Sequence, residues 1–356
     1  MKFLTYTFLF ATTALLFSCN TDFSVNGEYE ERPIVHAIID ANDTIHYFKI
    51  NKTFLGDGNA LEFAQVPDSS NFNSVEGTIT ELVNGNEVRQ FTLRDTIIEN
   101  KSEGVFYAPE QKIYYFSTPD NNKLNPDALL KMELNLNNGK HIVKGETQLV
   151  KNIQVTDPNG ISSLSFADPV INDDSNYKNE AFKFTEGENA VVFDFRIIFT
   201  YNETTNAGTV TKDIEWKIGQ QDLESATLGL FRVNGIQFYE FIRNNISPDE
   251  DVIKRTVESM TFKVTGGSED LQNYILVSQP TSNLAQSKPT FTNLEGGLGI
   301  FTSRMTDSYF RTAFQSPNTR ILHVNSTRQL CEGEYTGDLK FCSDIINDQT
   351  FSFYCN

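Results

Sequence analysis

The sequence lacks the common motifs of enzyme active sites. It contains no G-x-S-x-G, H-E-x-x-H, Walker or C-x-x-C pattern, so the spacings that build a nucleophile elbow, a zinc site, a phosphate loop or a redox pair are missing. Its four histidines, His36, His46, His141 and His323, do not lie at metal-ligand spacing. The sequence therefore predicts no cofactor, no metal site and no catalytic residue. Catalytic carboxylates or a Ser/His/Asp set that only folding brings together would leave no such pattern.

Positive charge is scarce. The chain has 29 Lys and Arg against 47 Asp and Glu, a formal net charge of -18, and its basic residues do not form runs. The chain offers no cluster of basic residues to bind the phosphates of a nucleic acid, and its negative net charge would repel them. We therefore expect no nucleic-acid partner, and anionic lipid headgroups are disfavoured for the same reason.

Long apolar stretches are absent after residue 19, so no transmembrane helix is predicted there. Residues 1–18 combine a single positive charge, a short apolar stretch and a final small residue, which are the three parts of a secretory signal. They end in L-F-S before Cys19, a sequence typical of the lipobox at which a bacterial signal peptidase cuts in front of an acylated cysteine. We predict Cys19 as the lipid-bearing first residue of the mature protein, since several acyl chains give stable anchoring. An ordinary signal peptide with a chance cysteine is the alternative.

The mature chain of 356 − 18 = 338 residues is longer than one hydrophobic core usually organises, which suggests two domains. Residues 19–32 are polar, acidic and aperiodic, so we interpret them as a tether. Residues 33–155 are predicted to form an immunoglobulin-like β-sandwich. Residues 156–356 are predicted to form a second, mostly β domain with one or two short helices. The boundary is placed at the start of a segment, 155–186, that is rich in Asp, Asn, Ser, Gly and Pro.

Two Asn-Gly pairs underlie the β prediction in the first domain. The pair at 138–139 lies between segments in which apolar and polar residues alternate, and it predicts a hairpin with Leu136 opposite His141. The pair at 84–85 separates two further strands in the same manner. Short strands with turn signals between them are typical of an immunoglobulin-like sandwich.

Aromatic residues underlie the β prediction in the second domain. Apolar and polar residues alternate over 193–199 and again over 214–218, on either side of turn signals at 205–208. This pattern predicts a hairpin with an aromatic core face. Residues 238–242 have helical spacing before Ser-Pro ends the segment, and residues 260–264 indicate another strand.

Two adjacent tyrosines of the first domain, Tyr114 and Tyr115, are candidates for a surface aromatic. They lie on a predicted strand and must point to opposite faces, so at least one of them is expected at the surface. Exposed aromatic faces are used in sugar binding.

Three cysteines, Cys331, Cys342 and Cys355, remain after Cys19 is consumed by lipid. Because export places them in an oxidising compartment, one disulfide is expected and one thiol remains unpaired. A hairpin about residues 336–337 sets Cys331 opposite Cys342, and a hairpin about 348–349 sets Cys342 opposite Cys355. We favour the Cys331–Cys342 disulfide, because Gly337 adopts a positive φ more readily than the residues of the later turn.

Seven short segments carry a resemblance to known proteins, and they mark strands and turns rather than a site. The segments are VEGTITEL at 75–82, YY at 114–115, LNL at 134–136, VKGET at 143–147, DLQNYI at 270–275, PTFTN at 289–293 and GGLGIF at 296–301. In these segments the sequence resembles a family of Bacteroidota lipoproteins of unassigned function. The resemblance implies an immunoglobulin-like N-terminal domain and an outer-membrane lipoprotein, on the periplasmic face or the cell surface, that is often encoded beside a TonB-dependent transporter.

Two Asp-Thr-Ile triplets look like the O-glycosylation sequence of Bacteroidota. They would place sugar on Thr44 and Thr96. The alternative is that two β-prone triplets arose by chance. Intact-mass measurement of the native protein distinguishes the two.

Two functions compete at this level. The first is a non-enzymatic binding or accessory module, anchored at the outer membrane, that serves a TonB-dependent nutrient uptake system and takes a glycan or peptide ligand. The alternative is a secreted hydrolase of glycans or peptides whose scattered active site leaves no motif in the sequence.

Overall fold

The part of the chain that the structure describes consists mainly of β-strands. The structure is a computed structural model and describes residues 29–55, 59–99, 102, 104, 110–158, 163–168, 177–222, 228–279, 290–314 and 320–355. These residues form fifteen strands and five α-helices, so the predicted mainly β fold class is confirmed. Cys19 and most of the predicted tether lie outside the described residues.

The strands and helices have the following bounds. The strands are β1 (Pro33–Asp40), β2 (Ile45–Lys52), β3 (Val75–Val83), β4 (Asn86–Thr92), β5 (Arg94–Ile98), β6 (Gln111–Ser117), β7 (Leu129–Leu136), β8 (His141–Gln148), β9 (Gln154–Asp157), β10 (Asn179–Thr185), β11 (Val192–Thr205), β12 (Gly208–Asp222), β13 (Leu228–Asn234), β14 (Val252–Gly267) and β15 (Leu298–Thr312). The helices are α1 (Ala60–Ala64), α2 (Pro67–Ser70), α3 (Gly235–Asn245), α4 (Glu269–Ser278) and α5 (Val324–Glu332).

An eight-stranded sheet joins strands from both halves of the chain in the order β12-β11-β14-β15-β1-β2-β6-β5. At its centre β1 and β15 pair in parallel, from Ile34 opposite Leu298 to Asp40 opposite Arg304. Two smaller sheets, β4-β3-β7-β8 and β13-β10-β9, lie against it.

The predicted hairpins are confirmed. Leu136 lies opposite His141, and β3 and β4 pair on either side of the Asn-Gly turn at 84–85. In that turn Asn84 and Gly85 have φ angles of 53° and 78°, which Asn and Gly adopt at low cost. The β11–β12 hairpin turns between Thr205 and Gly208 as predicted.

Helix α3 confirms the helical spacing noted at 238–242. Its N-terminus is fixed by a capping box, in which the Asn234 side chain accepts a hydrogen bond from the N–H of Ile236 while Gln237 Oε1 accepts one from the N–H of Asn234. Its apolar face packs on the second core, where Trp216 stacks on Phe241 with ring centroids 5.1 Å apart. The second half carries α3, α4 and α5, where one or two helices were expected.

Two hydrophobic cores divide close to residue 150. The first core lies between the β4-β3-β7-β8 sheet and the β1-β2-β6 end of the large sheet, so this half is a β-sandwich. The second core is dominated by Phe from β10, β11, β13 and β14, together with α3. Strand β15 contributes to both, since Phe301 belongs to the first core whereas Met305 and Tyr309 pack against the second. The large sheet continues across both cores, and the predicted domain boundary at 155 stays a prediction.

None of the helices in the described ranges is long and apolar enough to cross a membrane.

The predicted Cys331–Cys342 disulfide is wrong. The structure joins Cys342 to Cys355 and leaves Cys331 as a buried thiol. The prediction required a hairpin about residues 336–337, but Cys331 lies in helix α5 and Gly337 begins a 3-10 turn, Gly337–Leu339. The helix could have been predicted, because Thr327, Leu330 and Cys331 have the i, i+3, i+4 spacing of one buried helix face.

Replacing Cys355 by Ala is expected to destabilise the C-terminal segment by about 3 kcal/mol, the chain-entropy value for a loop of this size. The comparison is Cys331→Ala, which leaves the disulfide intact. Non-reducing peptide mapping of the unmodified protein should give one cross-linked peptide pair containing Cys342 and Cys355. Cys331 should react with a thiol reagent only after denaturation, because burial raises its pKa. A cross-link to Cys331 would contradict the assignment.

Candidate binding groove on the outer face of the large sheet

One face of the eight-stranded sheet covers the cores, and we call the opposite face the outer face. Side chains alternate between the two. On β1, Val35 and Ala37 are buried in the core, whereas His36 and Ile38 point to the outer face. Helix α4 lies across this face, and two side-chain contacts are among those that hold it there. Ser268 Oγ and Thr302 Oγ1 are 2.5 Å apart, and Tyr274 Oη and His36 Nε2 are 2.7 Å apart.

Beside α4 the outer face forms a groove of about 610 Å³. Its floor comes from β12, β11, β14, β15 and β1, and Leu271 and Ile275 of α4 form one wall. Strand pairing arranges most of the floor in three rows across the sheet. The rows are Val192, Gly267, Arg304 and Asp40; then Asp194, Thr265 and Thr306; then Arg196, Lys263 and Ser308.

Four carboxyl groups and three basic groups line the groove, but not every basic group forms an ion pair. Arg196 binds Asp194, donates to Glu215 Oε1 over 2.8 Å, and has a raised pKa because of the hydrogen bonds to these carboxylates. Lys263 and Arg304 form no ion pair with any carboxylate of the described ranges. Two unpaired cations on the floor of one groove are notable in a chain with a net charge of -18.

Asp40 shapes one end of the groove. It is only 3% exposed, and its carboxylate accepts hydrogen bonds from the backbone N–H groups of Asn42 and Thr306, at 3.0 and 2.8 Å. Burial raises its pKa above the usual value for Asp. Next to it, the hydroxyls of Thr265 and Thr306 are 3.0 Å apart. Asp40 therefore holds the β1 turn against β15, and the threonines present hydroxyl groups to the groove.

Exposed aromatic side chains lie on the same face, beyond the residues that line the groove. Phe310 of β15 is 58% exposed and lies one row beyond Ser308. Tyr47 of β2 is 50% exposed, and its ring centroid is 6.4 Å from that of Tyr115 on β6. Tyr114 is buried in the first core, whereas Tyr115 is partly exposed on the outer face, so the prediction of one surface tyrosine is confirmed.

The remaining residues singled out in the sequence lie away from the groove. Thr44 is in the turn between β1 and β2, and Thr96 is on the edge strand β5; both side chains are partly accessible. Their glycosylation stays a prediction.

His141 also lies away from the groove, and its Nε2 is 2.9 Å from Glu31 Oε1. The pKa of Glu31 is lowered to about 2, chiefly by the hydrogen bond from Lys140.

No group of three His, Cys, Asp or Glu side chains within the described part of the chain is arranged to hold a metal ion.

His46 is a buried histidine whose two ring nitrogens have no hydrogen-bond partner among the described residues. Its ring stacks on Phe116 with centroids 4.5 Å apart. Burial lowers its pKa from 6.5 to about 4. In the unfolded chain His46 gains its proton near pH 6.5, whereas in the folded chain it does so only near pH 4. Lowering the pH through this range therefore favours the unfolded state.

Replacing His46 by Phe is expected to raise the free energy of unfolding at pH 7, because two unpaired polar atoms are removed from the core. The variant should also lose part of the acid sensitivity. In the unmodified protein, the contribution of His46 to the free energy of unfolding is fully present above pH 6.5. It decreases by up to about 3 kcal/mol as the pH falls to 4. Urea unfolding of both proteins at several pH values measures this difference, and parallel pH profiles would contradict it.

Comparison with known proteins gives only distant structural likenesses. No protein-family model and no curated protein matches the chain. Among solved structures, the C-terminal globular domain of oligosaccharyltransferase from Pyrococcus abyssi matches 68% of this chain at 10% identity with a TM-score of 0.21, and the chain spans 50% of its length. CBD12 from CALX1.2 matches 78% of this chain and 100% of its own at 11% identity, with a TM-score of 0.16. Similarities this weak carry no argument about function.

Proposed function

We propose that the chain is a non-enzymatic binding module, anchored by lipid at Cys19 in the outer membrane, that serves a TonB-dependent uptake system. The observation that carries the binding role is the outer groove with its two unpaired cations, Lys263 and Arg304. Charged groups without partners on a groove floor gain most from a ligand that supplies the partners. The lipobox and the resemblance to Bacteroidota lipoproteins support the location.

A hydrolase is the competing function, and one observation favours it. Asp40 lines the groove and has a raised pKa, as a general acid requires. Its carboxylate oxygens, however, already accept backbone hydrogen bonds from Asn42 and Thr306, which are contacts typical of a structural carboxylate. Binding therefore explains the groove better than catalysis.

Affinity purification of the full chain from native membranes in mild detergent tests the proposal. We expect a TonB-dependent transporter to elute with the protein. Purification of the protein without any transporter would overturn the accessory role.

An assay of glycan and peptide turnover tests the competing function with the same preparation. Hydrolysis that Asp40→Asn abolishes would replace the binding role by catalysis. We expect no turnover by either protein.

A further inference from the structure

We infer that the groove binds an acidic oligosaccharide laid along β15, with anionic groups at Lys263 and Arg304 and one sugar ring against Phe310. This inference rests on the proposed function, because it takes the groove as the ligand site. It adds the chemical class of the ligand.

Strand β15 presents a continuous row of suitable groups. Arg304, Thr306, Ser308 and Phe310 alternate with inward-facing residues and therefore share the outer face. At roughly 3.3 Å per residue the row is about 20 Å long. It offers in order a guanidinium, two hydroxyls and an exposed ring. This order suits a chain of sugars, whose hydroxyls form hydrogen bonds and whose ring faces pack on aromatic side chains.

The positions of the two cations favour more than one anionic group. Lys263 pairs with Ser308, which lies four residues along β15 from Arg304. The two Cα positions are therefore separated by about 13 Å along the strand direction. A ligand with acidic groups on separate sugars contacts both cations, whereas a single small anion does not fill the row.

Arg304 lies opposite Asp40, whose pKa burial raises and the charge of Arg304 lowers, but no carboxylate of the described ranges forms an ion pair with Lys263 or Arg304. Asp194 and Glu215 both bind Arg196. Asp40 is buried and accepts two backbone N–H groups. Asp43 lies at the end of the groove, in the β1–β2 turn. Among the described residues, Lys263 and Arg304 are therefore the basic groups of the groove that lack an ion-pair partner.

A peptide fits the groove less well than a sugar chain. Peptides that dock on sheets usually pair with an edge strand through backbone hydrogen bonds. The central strands of the groove, β11, β14 and β15, are each already paired on both sides. The groove therefore offers a ligand side chains and almost no free backbone.

Calorimetric binding by the detergent-purified full chain tests the inference with matched probes. The acidic probes are an oligogalacturonate and a chondroitin sulfate oligosaccharide, and the neutral partners are their methyl-esterified and desulfated forms. We expect at least one acidic probe to bind at least 10-fold more tightly than its neutral form. Lys263→Gln and Arg304→Gln should each weaken binding of the acidic probe about 10-fold, because each removes a charge-assisted hydrogen bond. Phe310→Ala should weaken binding of the acidic probe and of its neutral form about equally.

Lys131→Gln is the matched control, since it makes the same charge change on β7 of the β4-β3-β7-β8 sheet, outside the groove, and should leave binding unchanged. Equal affinity for acidic and neutral forms that Phe310→Ala alone weakens would overturn the acidic assignment and leave the groove as a sugar site. Failure of both acidic probes to bind, with transporter coelution retained, would overturn the inference and leave the accessory function standing.

Discussion

Replacing Cys19 by Ser is expected to move nearly all of the protein from the membrane fraction to the soluble fraction. Acyl attachment requires the thiol, and several acyl chains on one residue exceed the two-signal threshold for stable membrane binding. We expect no other attachment to compensate for their loss, because a carbonate wash removes protein that only a partner protein holds at the membrane. The net charge of -18 disfavours anionic headgroups, and no helix in the described part of the chain could cross a bilayer. Fractionation of cells followed by a carbonate wash measures the effect.

Cys331→Ser is the matched control, because it makes the same substitution at a cysteine that is buried in the fold and takes no part in the disulfide. This variant should stay with the membrane. If the Cys19→Ser protein also resists the carbonate wash, the lipid anchor is wrong and the first eighteen residues act in another way.

The hairpins could be predicted because the sequence signals that specify each of them lie within the hairpin itself. An Asn-Gly turn fixes the register, and alternation of apolar and polar residues fixes which face is buried. Leu136 opposite His141 follows from these two facts alone, and the structure shows that pairing. The β11–β12 hairpin follows in the same way from alternation on either side of Gly208.

The joining of the two halves could not be predicted. Strands β1 and β15 pair in parallel although Ile34 and Leu298 are 264 residues apart in sequence. A parallel pair has no turn between its strands, so no local signal marks it. Ile34 and Leu298 each lie in a plausible strand, and only the packing of two cores against one sheet selects them as neighbours.

The groove could not be predicted from the sequence either, for a different reason. Lys263, Thr306 and Arg304 each look like ordinary polar residues on the wet side of an amphipathic strand. Whether these residues are paired or can bind a ligand depends on which carboxylates the sheet places beside them. That placement depends on the lateral order of five strands. Tyr115 could be named as a candidate because two adjacent strand residues must face opposite ways, an argument that requires no tertiary structure.

Removing the guanidinium of Arg255 is expected to cause a large loss of stability in the second half. Arg255 is 2% exposed and contacts Glu203 through two nitrogens, at 2.9 and 2.8 Å. It also donates to the carbonyl of Leu339 at 2.6 Å and to that of Ser247 at 3.2 Å. Arg255 thereby ties β14 to β11 and to the C-terminal segment. Breaking a buried pair by deleting one partner typically costs about 3–5 kcal/mol, because the other partner remains desolvated.

Urea unfolding of Arg255→Ala, monitored by the fluorescence of Trp216, measures this cost. Trp216 is the single tryptophan of the chain and packs against the second core, so it reports the unfolding of the half that contains Arg255. The matched control is Arg243→Ala, which breaks an exposed ion pair with Asp338 in the same half and should cost less than about 1 kcal/mol.

A double-mutant cycle separates the ion pair from the other contacts of Arg255. If the pair with Glu203 carries the effect, Arg255→Ala together with Glu203→Ala should cost clearly less than the sum of the two single changes, because the second deletion removes the buried carboxylate that the first left with Lys212 but without its buried partner. Additive losses would assign the stability to the carbonyl contacts with Leu339 and Ser247 instead. A loss for Arg255→Ala as small as that of the control would mean that the buried cluster does not hold β14 and β11 together.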